Sequence, residues 1–98
     1  MMKKHFLITM APTRPDLEET MGIEEQRVLG EHFEYLKELH GKGVVLLAGR
    51  TTEAGNLRGL IVAAAADEAE AQGILEADPA VQAGLFRGRI DGFKVVLK

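Results

Sequence analysis

The hydrophobic pattern is clearest in EEQRVLGEHFEYLKELHGK, residues 24–42. At about 100° per residue, Val28, Leu29, Tyr35, Leu36 and Leu39 fall within roughly 60° of His32, whereas Arg27, Gly30, Glu34, Lys37 and Glu38 point away. The pattern predicts an amphipathic helix that opens near residues 22–24, where Glu24 and Glu25 suit the positive end of the helix dipole, and stops at Gly41-Lys42-Gly43. His32 stands in the middle of the stripe, where an apolar residue is expected. A buried imidazole loses its hydration and needs a hydrogen-bond partner from elsewhere in the chain.

Before this helix, residues 3–11 alternate, with Phe6, Ile8 and Met10 on one side and His5, Leu7 and Thr9 on the other. They read as a first strand ended by Pro12. A short helical turn is expected after Pro15, opened by Asp16 with Glu19 three residues on. After the main helix, the apolar run at 44–51 predicts a strand covered on both faces, and Gly49 inside it suggests a bulge or a close approach to a ligand. A turn around Gly55 leads into a third strand at 57–66, so strands two and three form a hairpin. Asp67 with Glu70 reads as a capping box for a helix through Glu76, with Ala71, Ile74 and Leu75 on its inner face. Asp78-Pro79 breaks that helix. Residues 80–84 form a brief turn, and 85–97 a last strand with Gly88 and Gly92 as candidate bends.

The order β-α-β-β-α-β predicts a ferredoxin-like α+β fold, a four-stranded antiparallel sheet with two helices on one face. The uncovered face would carry Val, Leu, Ile and Ala side chains, a larger apolar patch than a soluble monomer usually exposes, so a homodimer is expected. The 98 residues are 46% hydrophobic and suit one domain over 1–98 without a linker. The net charge of −3 comes from scattered charges, which disfavours nucleic acid as a partner. The chain has no cysteine, hence no disulfide framework and no thiolate chemistry. The N-terminal apolar run is short and interrupted by His5 and Thr9, so it reads as a strand rather than a signal peptide or membrane span, and the cytoplasm is the expected location.

The acceptor for His32 should come from a residue of fixed position, and Asp78 meets that condition, held between a helix end and a proline. Its plainer role is to cap the turn that begins at Pro79, and the plainer role of His32 is that of a satisfied core histidine. If the two meet, the carboxylate fixes the imidazole tautomer and leaves the other ring nitrogen free to act as general base or acid. With no cysteine and no G-x-S-x-G, covalent catalysis has little support. His5, His32 and His40 lack the spacing of a helical metal pair, so no metal is expected. The glycines of A-G-R-T and N-L-R-G do not form a phosphate loop before a helix. Arg14 and Arg50 are candidates to pair with an anionic substrate, although such residues more often simply solvate a surface.

The stretch EHFEYLKELHGKGVVLLAGR at 31–50, the G-L-I-V of the third strand and ADPAVQAGLF at 77–86 together resemble the YciI-like, or YCII-domain, family over nearly the whole chain. The helical His followed by Y-L, with a later D-P, is the specific part of the likeness. The resemblance implies a dimeric α+β barrel of ferredoxin-like subunits, with His32 and Asp78 matching the family's proposed active-site pair. It implies lyase, isomerase or dehydrohalogenase chemistry on small cyclic molecules, without a cofactor. Gly22 stands where Ser or Thr would be the better helix cap.

Two functions therefore remain open. One is an enzyme using His32 and Asp78 as a general acid/base pair on a small cyclic substrate, anionic in one version; the other is a non-catalytic ligand-binding or accessory dimer in which the pair is a polar clip. An open cavity at the free imidazole nitrogen favours the first.

Overall fold

The computed structural model describes residues 3–98. It shows an antiparallel sheet in the order β2-β3-β1-β4, with β1 at Lys4–Pro12, β2 at Val45–Arg50, β3 at Gly59–Ala65 and β4 at Phe86–Phe93. Two longer helices, α2 at Ile23–Gly41 and α3 at Glu68–Glu76, lie on one face, and two single turns, α1 at Leu17–Thr20 and α4 at Pro79–Gln82, flank them. This is the ferredoxin-like α+β arrangement, with β2 and β3 as the expected hairpin.

The alternation along β1 sends Phe6, Ile8 and Met10 toward the helices. There Ile8 and Met10 join Val45, Ile61, Ala63 and Leu75 in the main core, which Leu36 and Leu39 of α2 and Ile74 of α3 cover. A second cluster, Leu17, Val28, Ala80 and Leu85, ties α1, α2 and α4 together at one end of the sheet. Burying these side chains supplies the main drive for folding, roughly 1.5–3 kcal/mol for each large aliphatic one fully buried.

Local signals account for the helix ends. α2 starts at Gly22, where the missing side-chain cap is offset by Glu25, whose Oε1 accepts the Gly22 N–H at 3.1 Å. In α3 the Asp67 carboxylate accepts the Glu70 N–H at 2.8 Å, while Glu70 reaches back to Ala66 N–H rather than to Asp67. The Asp16 side chain makes no cap to α1; the Thr20 hydroxyl instead donates to the Asp16 carbonyl. The brief turn expected at 80–84 opens as the helical turn α4, because Pro79 sits at its start with φ already set.

Several expectations shift because sheet pairing is a non-local property. β4 ends at Phe93, opposite His5, and not at residue 97, since β1 extends only one residue beyond that pair, to Lys4. β3 runs over Gly59–Ala65 instead of 57–66, because Leu57 and Arg58 belong to the hairpin loop and Ala66 to the turn into α3, where its N–H donates to Glu70. The bulge in β2 falls between Val45 and Leu47, and Gly49 stays in register with Leu60. Gly88 is not a bend: it pairs with Met10, and a methyl group there would run into Leu75 of α3.

The uncovered face carries Leu7, Leu47, Leu60, Val62 and Ala64, which the register places on the side opposite Ile8 and Ile61. Leu47 and Leu60 are 66% and 41% exposed. Isoleucine is absent from this row, and along β4 the face turns charged, with Arg87, Arg89 and Asp91.

Candidate functional site

His32 is buried on the inward stripe of α2, as are Val28 beside it and, in part, Leu29, Tyr35, Leu36 and Leu39. Its Nδ1 lies 2.7 Å from Oδ2 and 2.9 Å from Oδ1 of Asp78. Asp78 has no solvent-exposed surface. It is both the partner of His32 and the cap of α4, because Oδ1 also accepts the Ala80 N–H at 2.8 Å. The two sequence-level roles for Asp78 coexist. A carboxylate stripped of water needs such donors to offset its desolvation, and the ring N–H and the helix N–H supply them. Pro79, at the first helical position, has no N–H to compete for the carboxylate.

With Nδ1–H donating to Asp78, the ring's other nitrogen, Nε2, has no hydrogen-bond partner among the described residues. No buried side-chain nitrogen or oxygen in the described structure lacks a partner, so Nε2 is open to the space beside it. That space is a cavity of about 270 Å³ between α2, α1 and the sheet, whose walls include His32, Met10, Leu36, Ile61 and Leu85. Two aromatic rings flank the imidazole, Phe33 at 5.3 Å between centroids and Phe86 at 5.5 Å in an edge-on arrangement. Phe33 also lines the cavity and is 57% exposed, an unusual place for a phenyl ring on a helix.

Of the two candidate arginines, Arg50 lines the cavity at the end of β2. Its Nη2 lies 2.5 Å from Oε2 of Glu18. Arg14 is not among the cavity-lining residues; its guanidinium forms a fork with Glu25 at 2.9 and 3.0 Å and also donates to Thr20. That pairing, with a second bond from Gly22 N–H, holds the Glu25 carboxyl down to about 2. Among the described residues no three His, Asp or Glu side chains converge as a metal site, and no helix is long and apolar enough to cross a membrane.

Three neighbours of the site escaped the sequence reading. Phe33 had a signal, an aromatic residue on the polar side of the helix next to His32. Glu18 had none, because its contact with Arg50 spans 32 residues. Tyr35 was placed on the stripe, but its hydroxyl bond to the Ile74 carbonyl, 2.7 Å, depends on how α3 packs. Burial raises the Tyr35 phenol above its ordinary value, and the nearby charges of Asp78 and Glu38 add to the effect.

A helical histidine tied to a buried aspartate, above an apolar chamber on a ferredoxin-like sheet, defines an α+β domain with a polar pair in the wall of its cavity. The chain matches the YCII-related domain over residues 6–90 and belongs to that family. No curated protein matches the sequence. Among solved structures it is similar to 5-chloro-2-hydroxyhydroquinone dehydrochlorinase (TftG) from Burkholderia phenoliruptrix AC1100, in complex with 2,5-dihydroxybenzoquinone. The TM-score is 0.71 at 23% identity, over 92% of this chain and 93% of that one, a likeness of fold.

Proposed function

We propose that the protein is a small-molecule enzyme in which His32, oriented by Asp78, acts as general acid/base on a small cyclic substrate held in the cavity. The observation that carries this reading is the asymmetry of the imidazole: Nδ1 is tied to a buried carboxylate while Nε2 opens on the cavity. A core histidine used as a clip would have both nitrogens engaged or sealed.

In the neutral ring Nδ1 carries the proton and Nε2 presents its lone pair. Nε2 takes a proton from an acidic C–H or ring hydroxyl of the substrate, and the Asp78 carboxylate stabilises the imidazolium so formed. In an elimination, the electron pair left behind forms the new double bond as the leaving group departs, a halide taking its bonding pair with it. In an isomerisation, the same nitrogen returns the proton at another carbon. The fold-level likeness to a dehydrochlorinase supports the first version. Phe33 and Phe86 beside the imidazole, with apolar walls beyond, suit a flat, unsaturated ring. Arg50 is the cation within reach of an anionic oxygen on that ring.

The active form is a homodimer joined through the apolar part of the open sheet face, where Leu47, Leu60 and Val62 would meet their two-fold mates.

The test is a screen of halogenated hydroquinones and related cyclic enols, following halide release and ring absorbance, with His32→Asn and Asp78→Asn in parallel. Turnover in the wild type that falls by about 100-fold or more in His32→Asn is expected for loss of a general base. Turnover unchanged from the wild type in both variants removes the catalytic role. Binding without turnover of any member favours the ligand-binding alternative.

A further inference from the structure

Among the described residues, the walls of the cavity that holds His32 carry two charged side chains, Arg50 and Glu18, and these two are bonded to each other. We propose that Glu18 is a latch on an anion subsite: its carboxylate occupies Arg50 until a carboxylate or enolate oxygen of a ligand displaces it. The proposal rests on the reading of this cavity as the ligand chamber, and it makes Glu18 a specificity-determining residue.

Arg50 is fixed. It ends β2 in register with Gly59, and its Nε–H donates to the Thr51 carbonyl at 3.1 Å, which leaves the Nη2 end for an anion. Glu18 is the looser partner. It belongs to a four-residue turn, its only hydrogen bond among the described residues is the one to Arg50, and it is not held by the contacts that anchor its segment. Those anchors are Thr13, which bonds the Gly84 and Leu85 carbonyls, buried Leu17, and the Arg14–Glu25 fork. One side chain can therefore swing while the segment stays in place.

The side chains of Arg50 and Glu18 are 49% and 37% exposed. An ion pair this exposed biases an equilibrium by only about two- to fivefold, little enough for a ligand anion to replace. Glu18 and Leu57 line both this cavity and an adjoining one of about 320 Å³. The second cavity includes Arg58 and Arg87, neither bonded to a carboxylate among the described residues, with Glu18 and Glu19 the opposing charges. Glu18 thus stands at the partition between a charged outer chamber and the apolar inner one.

The experiment is an NMR titration of the Ala48, Gly49 and Gly59 amides with benzoate and with its neutral isostere benzamide. For Glu18→Gln, benzoate should bind about two- to fivefold more tightly than to the wild type, the bias released with the ion pair, and benzamide should be unchanged. For Arg50→Gln, benzoate should fall to the affinity of benzamide, with Arg50→Lys retaining part of the preference and serving as the variant that keeps the charge. Equal tightening of both compounds in Glu18→Gln would mean that Glu18 is a steric plug, and it overturns the proposal. So does an unchanged benzoate affinity, or the absence of any shift with either compound. These are binding equilibria and do not depend on turnover. Inert His32 variants with this pattern intact would leave the latch standing, and active ones without it would remove only the latch.

Discussion

Asp78 meets His32 most closely with one oxygen and shares the other with the chain: Oδ2 lies 2.7 Å from Nδ1, while Oδ1, 2.9 Å from the same nitrogen, also accepts the Ala80 N–H at 2.8 Å. This division decides the outcome of Asp78→Asn. The amide has one acceptor, and the helix N–H, which cannot change role, claims it. The NH₂ group then faces Nδ1 and donates to it, which pushes the ring proton to Nε2. The fold should survive, because both contacts are still made, yet the cavity would face an N–H instead of a lone pair. Activity should fall by about 100- to 10,000-fold, as in other pairs where the tautomer is inverted. Nitrogen chemical shifts of His32 should show the proton on Nδ1 in the wild type and on Nε2 in the variant; the same tautomer in both would remove the argument.

Gly88 and Leu75 make a second contact that leaves no slack. A Cβ built on Gly88 would overlap both methyl groups of Leu75, and Leu75 is buried. Gly88→Ala gains about 0.5–1 kcal/mol by restricting the unfolded backbone. It loses more by overpacking, about 1–3 kcal/mol. Urea unfolding should show net destabilisation; a stabilised variant would mean that α3 shifts freely over β4.

Much of this arrangement was legible in the sequence because it is local. The stripe on α2, the Asp67 cap and the Asp78-Pro79 break each depend on residues within a few positions of one another, and together they set the fold. The His32–Asp78 pairing spans 46 residues. It could be named because a buried histidine requires a partner and the D-P resemblance marked one. What stayed hidden lacked such a requirement. Where β4 stops depends on where β1 begins, and Glu18 meets Arg50 only after α1 folds over the end of β2. Gly88 looked like a bend because a glycine reads the same whether its backbone turns or a neighbour crowds it.

The open sheet face yields a prediction about assembly. Leu47 is largely exposed in the subunit, so Leu47→Glu should cost the isolated fold little. Across a two-fold interface it would set two buried carboxylates near each other. Light scattering at micromolar concentration should give a dimer for the wild type and a monomer for Leu47→Glu, with the same far-ultraviolet circular dichroism. A wild-type monomer would sink the dimer proposal.

Arg14 and Glu25 should shape the acid limb of stability. The Glu25 carboxyl is lowered from 4.5 to about 2, first by the Arg14 fork and then by the Gly22 N–H. A depressed carboxyl stabilises the folded state above its unfolded value and loses that contribution as pH falls to the folded one. Melting temperatures of the wild type and Glu25→Gln should therefore differ most above pH 4.5 and converge as pH approaches about 2. A constant difference across that window would show that Glu25 acts through packing alone.

Tyr35 tests how α3, and with it Asp78, is held against α2. Its hydroxyl donates to the Ile74 carbonyl, one of the last-turn carbonyls of α3 that the helix itself leaves free. Tyr35→Phe keeps the ring in its half-buried place and removes that bond, so stability should fall by about 0.5–1.5 kcal/mol. The phenol adds a sign of its own. Because burial raises it, the folded state favours the neutral form, and its contribution is complete below the ordinary value of 10.0 and lost as pH rises through the higher folded value. Wild-type stability should accordingly decline faster than that of Tyr35→Phe above pH 10.0, and the two should run parallel below it. Parallel curves through the alkaline range would mean that the hydroxyl reaches solvent and that Ile74 is held by something else.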